Sequence, residues 1–232
     1  MMKNNAVYIL PFSSLAEKTD SELFNDLLVP DLEFFRITMF LNLIQNLSTR
    51  NEKIDIHVLL NTTDKEKLNP ELNTDQVKIL QVDNYGIKAV LENLYNVNFP
   101  LYKNNLIIGS DVIDLRPSDL DKHLNLLGFD DKTYSISKSQ YGKIKIIGFN
   151  SLNEEVLKHL TESDFDLDRF LSYNKSCEYF VNVHSDILEI RNREDFKKLY
   201  YLLSNKNSYE YCSQQMHERF THIFIEYKDL LK

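Results

Sequence analysis

The sequence predicts an α/β domain: a mixed, mostly parallel sheet between two layers of helices. Three observations carry this. Short apolar runs alternate with segments of helical periodicity through the first half of the chain, and such alternation implies crossovers and a parallel sheet. Each run is closed by a turn-forming or polar residue. The 232 residues include only five Gly and five Pro, so few loops need unusual backbone angles and the elements should be long.

The first strand is Ala6-Val7-Tyr8-Ile9-Leu10, stopped by Pro11. Residues 12–29 read as a polar loop with a helical turn over 21–28. Asp31 is placed as the N-cap of a helix to Leu47, with Leu32, Phe35, Met39, Leu43 and Leu47 at helical spacing. Strands follow over 54–60 and 77–82, with a short helical segment at 64–68 between them. A helix over 86–97 turns Ile87, Val90, Leu91 and Leu94 inward. The strand Leu106-Ile107-Ile108 ends at Gly109-Ser110-Asp111, and Pro117 opens a helix to Leu127 at the position where its missing N–H costs nothing. Residues 133–137 and 143–149 form a hairpin or near-hairpin around Gln140-Tyr141-Gly142. A last strand spans 179–184, and helices cover 166–174, 193–203 and 209–230. Neither a repeat nor a linker interrupts the chain, so residues 1–232 are expected to be one domain, with 204–232 a C-terminal helical extension.

Composition narrows function. At 43% hydrophobic and 12% aromatic residues the chain can build a packed core. A formal net charge of −8 argues against binding nucleic acid or an anionic membrane through charge alone. Residues 6–10 are too short for a signal segment or a membrane span, and Cys177 and Cys212 lack metal-ligand spacing. A cytoplasmic protein is expected.

In open α/β sheets ligands bind beyond the C-terminal ends of the parallel strands. That rule selects residues 11–18, 84–88 and 110–115. The last is the most pointed, because a buried strand leaving through Gly-Ser-Asp exposes a carboxylate at the sheet edge. Asp111 and Asp114 stand three apart, a spacing at which both could reach one hard cation, Mg²⁺ or Mn²⁺, bridging to a diphosphate. The alternative is that Asp111 caps a turn and Asp114 caps the helix near Pro117.

The stretch Asn105-Leu106-Ile107-Ile108-Gly109-Ser110-Asp111-Val112-Ile113-Asp114-Leu115-Arg116-Pro117 resembles the signature of small bacterial stand-alone GT-A proteins. These are nucleotide-diphospho-sugar transferase-like domains, one branch of which is associated with arsenosugar biosynthesis. The family pattern is I-G-S-D-x-P-D-L after a hydrophobic strand, and Ile113 replaces its first Pro. Lys143-Ile144-Lys145-Ile146-Ile147-Gly148-Phe149 is similar to the family's G-Y-Y-L-I-G strand, and residues 189–196 to its D-V-D-T-P-E-D-L block. The resemblance covers about residues 5–203. It implies a GT-A fold that binds a nucleotide or nucleotide-sugar above Leu10, Pro11 and Ser110. Asp111 and Asp114 would hold the metal, and Lys18, Lys88 and Arg191 would contact phosphates.

The departures mark a divergent member. The family's basic loop after the first strand survives only in Lys18-Thr19, and its E-D-G-G turn is Ser139-Gln140-Tyr141-Gly142, without either acid. Its D-V-D block is Glu189-Ile190-Arg191, so a cation replaces a carboxylate. Arg191 could pair with a phosphate or with Asp111. No residue stands out as a base for glycosyl transfer. Two functions stay open: a glycosyltransferase-like enzyme, or a catalytically silent binding or scaffolding protein. The second would use the stripe Tyr209, Cys212, Met216, Phe220, Ile223, Phe224, Tyr227 and Leu230, which either packs on its own domain or forms a homodimer.

Other patterns are weaker. Asp164, Asp166 and Asp168 suggest a Ca²⁺ loop, but Arg169 and Lys175 occupy its required Gly and Glu positions, and capping is the better reading. His217 and His222 are five apart and point to different sides of a helix, while His57 and His184 lie in strands.

Overall fold

The computed structural model describes residues 3–11, 22–48, 54–68, 70–72, 75, 77–175 and 177–232. Its strands are β1 (Lys3–Leu10), β2 (Ile54–Leu60), β3 (Lys78–Gln81), β4 (Tyr102–Gly109), β5 (Thr133–Lys138), β6 (Ile144–Phe149) and β7 (Phe180–Val183). The helices are α1 (Glu22–Asp26), α2 (Val29–Ser48), α3 (Thr62–Leu68), α4 (Ile87–Val97), α5 (Pro117–Leu126), α6 (Glu154–Glu162), α7 (Leu167–Tyr173), α8 (Arg193–Leu203) and α9 (Gln214–Glu226).

One seven-stranded sheet runs in the order β3-β2-β1-β4-β6-β5-β7. β1 pairs in parallel with β2 and β4, β2 with β3, and β5 with β7. β6 runs against both its neighbours. The α/β class and the mixed, mostly parallel sheet are therefore as the sequence predicts, and 133–149 is the expected hairpin.

Alternation along the strands divides the core between the two faces. Val7, Ile9, Leu106 and Ile108 turn toward one side, with Leu32 and Phe35 of α2, Leu120 of α5, Phe196 of α8 and Phe220 of α9. Ala6, Tyr8, Leu10 and Ile107 turn to the other, with Leu91 of α4, Leu157 of α6 and Phe170 of α7. The result is the three-layer α/β/α arrangement. Gly148 of β6 lies where a Cβ would come within 2.4 Å of Leu106 Cδ1 and 3.1 Å of Leu127 Cδ1, so the absent side chain lets α5 settle on the sheet.

Several boundaries differ from the prediction. α2 starts at Val29, ahead of Asp31, because Pro30 fits a first turn; Asp31 is not a cap and accepts a hydrogen bond from the Tyr227 hydroxyl. β4 begins at Tyr102, four residues early. α6 was not anticipated, although Asn153 caps it by accepting from the Val156 amide. The single helix expected over 209–230 is broken: Ser213 accepts from the Met216 amide and opens α9, with short 3₁₀ turns on either side. Asp166 caps α7, and Asp164 pairs with Lys143 at 2.6 Å, so capping describes the Asp164–Asp168 segment better than Ca²⁺ binding.

Candidate functional site

The pairing register assembles the site. Leu10 of β1 lies opposite Gly109 of β4, and the Leu10 carbonyl accepts from the Ser110 amide at 3.0 Å. β4 and β6 pair through Ile108 and Ile146. Carrying this antiparallel register one step further sets Lys145 beside Gly109. Because β6 is reversed, its first residues arrive at the edge where β1 and β4 end. So does the hairpin turn 139–142, which closes through the Ser139 amide to the Lys143 carbonyl at 2.7 Å. Gly142 there has φ of +80°, a conformation costly for other residues.

Four charged side chains meet at this edge. Lys145 Nζ lies 2.6 Å from Asp111 Oδ2 and 3.0 Å from Glu189 Oε1. Arg191 donates to the same Glu189 oxygen through Nε at 2.9 Å and Nη2 at 2.8 Å. Its guanidinium lies 4.6 Å over the Tyr141 ring, in cation–π geometry. Lys145 is 7% exposed and Asp111 34%. Burial alone would lower the lysine pKa, but Asp111 and Glu189 outweigh it and raise it above the ordinary value, so the ammonium stays charged.

The hairpin turn and the segment before α8 hold this cluster. Gln140 donates to the Glu189 carbonyl at 2.7 Å and accepts from the Glu189 amide at 3.0 Å. Tyr141 donates to Asp195 at 2.6 Å, and Asp195 also accepts from the Arg191 amide. Burial would raise the Asp195 pKa; the Tyr141 hydroxyl and the Lys198 ammonium reverse that and hold it below the usual carboxylate range.

The expected site residues are placed as follows. Leu10 and Pro11 are buried beneath the edge, and Ser110 is tied to Leu10. Lys18 lies outside the described residues. Lys88 is exposed on the first turn of α4 and faces Glu92 at 4.0 Å. Asp111 and Arg191 are brought into one cluster but not to each other: Arg191 takes Glu189, and Asp111 takes Lys145. Asp114 caps neither α5, whose N-cap is Arg116, nor a partner shared with Asp111. Its Oδ2 accepts from the Leu188 amide at 3.0 Å, and burial raises its pKa.

The two aspartates thus face different partners. Asp111, Glu189, Lys145 and Arg191 balance as two negative and two positive charges. Among the described residues no group of three or more His, Cys, Asp or Glu side chains is arranged for a metal. A divalent ion at Asp111 would meet an ammonium already hydrogen-bonded there, so these residues, as arranged, do not fit Mg²⁺ or Mn²⁺.

Lys145 escaped the sequence reading, although a lysine inside the apolar strand Ile144-Lys145-Ile146-Ile147 is a signal in itself. Lysines are almost never fully buried without a partner. His123 was also unforeseen. It is buried on α5, with Nδ1 2.8 Å from Ser135 Oγ and Nε2 3.1 Å from Ser137 Oγ. His184 Nε2 shares Ser135 Oγ at 2.7 Å, and the imidazole centroids are 4.2 Å apart. Burial first, and the neighbouring imidazole second, push the His123 pKa down to about 3. The pair borders a cavity of about 250 Å³ that Asp114, Arg116 and Tyr211 also line. His57 is structural, stacked on Tyr8 and hydrogen-bonded to Tyr102.

Sheet order, reversed strand and a Gly-Ser-Asp exit at the C-terminal edge of the sheet make comparison with solved structures informative. A protein from Desulfovibrio desulfuricans G20, described as a candidate nucleotide-diphospho-sugar transferase, superposes with a TM-score of 0.73. It is 16% identical, over 100% of this chain and 97% of that one. This chain shares the fold of that protein. This GT-A-like architecture extends to a cytidylyltransferase from Leptospira borgpetersenii, with a TM-score of 0.53 and 13% identity, covering 100% of this chain and 97% of that one. It also extends to the 4-diphosphocytidyl-2C-methyl-D-erythritol synthase of Anaerococcus prevotii, with a TM-score of 0.54 and 13% identity over 87% and 97% of the two chains. No family model and no curated protein matches the sequence. Among the described residues of this GT-A-like chain, no helix is long and apolar enough to cross a membrane.

The stripe weighed as a dimer surface is largely used within the chain. Cys212, Met216, Phe220, Ile223 and Phe224 are buried on the α2 and α8 side of the core, while Tyr209 remains exposed.

Proposed function

We propose that this chain binds a nucleotide or nucleotide-sugar at the C-terminal edge of the sheet and acts there as a glycosyltransferase-like protein. The observation that carries the reading is the convergence of Ser110, Asp111, Lys145, Glu189 and Arg191 at the edge where open α/β sheets receive ligands. The fold and the solved relatives, described as nucleotidyl- and sugar-transferring proteins, support the ligand class.

In this reading the base sits above Leu10 and Pro11, and the Ser110 loop borders the phosphates. Arg191, stacked on Tyr141 and 41% exposed, offers its planar guanidinium to a diphosphate. Lys18 and Lys88 are the further cations proposed for phosphate. In glycosyl transfer the acceptor oxygen forms a bond to the anomeric carbon as the bond to the diphosphate oxygen breaks, and the acceptor's proton passes to the departing diphosphate or to solvent. Arg191 would then hold the charge that develops on the departing diphosphate. A scaffolding role or homodimer through the C-terminal helix has less support, because the apolar side of α9 already belongs to the core.

Thermal-shift titration with nucleoside diphosphates and nucleotide sugars tests the reading. Ligand at about ten times its Kd should stabilise the chain by about 1.4 kcal/mol, a rise in Tm of about 3–6 °C. The rise should be confined to one base and reduced by Arg191→Ala. An unchanged Tm across the panel at millimolar ligand would reject nucleotide binding.

A further inference from the structure

We propose that the Lys145 ammonium is a resident cation of this site: it fills the place between Asp111 and Glu189 that a divalent ion would need, so an anionic ligand is held without metal. The proposal rests on the nucleotide-binding reading and adds what supplies the positive charge.

Three observations carry it. The first is position. Lys145 is the second residue of β6, a central strand flanked by β4 and β5, and it stands at the irregularity where Ile144 pairs with Lys138 and Ile146 with Ser137. Its reach is therefore set by the sheet and not by a loop. The second is geometry: both carboxylates contact the same nitrogen, at 2.6 and 3.0 Å, and each uses one oxygen for it. The other two oxygens, Asp111 Oδ1 and Glu189 Oε2, are buried without a hydrogen-bond partner. They can accept from a ligand hydroxyl or a water while the ammonium stays in place.

The third is charge. Without Lys145 the carboxylates would leave a net negative pocket, the electrostatic condition for Mg²⁺ or Mn²⁺. Lys145 offsets one of the two negative charges, and Arg191, bound to Glu189, offsets the other. A divalent ion entering this cluster would meet two cations and no net negative charge, whereas an incoming diphosphate would meet the Arg191 guanidinium, which is 41% exposed.

Mn²⁺ alone is the first probe, followed by the electron paramagnetic resonance of the free ion. The wild-type chain should leave the free-ion signal undiminished at millimolar Mn²⁺. Lys145→Met, which leaves Asp111 and Glu189 facing each other, should take up one Mn²⁺ per chain and gain thermal stability from it. Adding Asp111→Asn to that variant should remove the uptake. One Mn²⁺ bound by the wild type and lost in Asp111→Asn would overturn the proposal, and so would a folded Lys145→Met that takes up none.

Should Lys145→Met fail to fold, a wild-type measurement decides. The affinity for UDP and the other nucleoside diphosphates should agree within about twofold in EDTA and in Mn²⁺, whereas binding about tenfold tighter with Mn²⁺ overturns the proposal. Absence of any nucleotide binding defeats the nucleotide reading, and the wild-type Mn²⁺ titration still decides the role of Lys145.

Discussion

Replacing His123 by Gln should flatten part of the acid dependence of stability. In the folded chain the His123 pKa is pushed down to about 3, first by burial and then by His184, against 6.5 for a free imidazole. Below that higher value the unfolded chain takes up a proton that the folded chain refuses. Stability therefore falls as the pH drops, by about 1.4 kcal/mol per unit, from about 6.5 to about 3. Between about pH 7.5 and pH 5 the loss assigned to His123 comes to about 2 kcal/mol, from the ratio of protonated unfolded to protonated folded chain. Glutamine can still hydrogen-bond Ser135 or Ser137 but does not titrate. Asp114, Asp119, Lys122 and His184 face His123 in both proteins, so the comparison isolates what changes with the imidazole itself. Urea unfolding at the two pH values gives four free energies. The wild type should lose about 2 kcal/mol more than His123→Gln on acidification. Equal losses would mean that His123 is protonated in the folded chain, and the account of the buried pair would be wrong.

Two further expectations concern packing. Gly148→Ala places a methyl 2.4 Å from Leu106 Cδ1 and should cost about 1–3 kcal/mol in chemical denaturation; a neutral result would show that the Leu106 and Leu127 side chains turn aside without loss of packing. Phe220→Ala removes a ring that is 0% exposed beside Phe35 and Phe224. It should cost about 3–5 kcal/mol while light scattering reports an unchanged mass, and a change of mass with stability intact would return α9 to the role of an interface.

The sheet was legible because its strands are short, apolar and punctuated, and because period and turn chemistry agree along most of the chain. The unread parts have specific reasons. The polar start of β4 does not look like a strand, yet the Asn105 amide donates to the carbonyls of Phe99 and Tyr102, and that of Asn104 to Asn5, so the donors of these polar side chains find partners where apolar residues are usual. The apolar stripe from Met216 to Phe224 continues visually into Tyr227 and Leu230, and period alone cannot show that Ser213 starts the helix anew.

Gly109-Ser110-Asp111 stands where β1 and β4 end side by side. The partner of Asp111 was hidden because it lies 34 residues later, on a strand paired antiparallel to β4. Arg191 was singled out two residues from the carboxylate it binds. The distance from Asp111 to Lys145 is a property of topology and not of sequence spacing.

The reversed strand has one more consequence. Loops at a sheet edge open in small local excursions, and a charge carried on them comes and goes with those openings. A charge carried on β6 is lost only when the ladders to β4 and β5 separate, an event close to global unfolding. Amide exchange at Ile146 and Ile147, the paired residues that follow Lys145, should be among the slowest in the chain. The place of this ammonium at the sheet edge is then as durable as the strand that carries it.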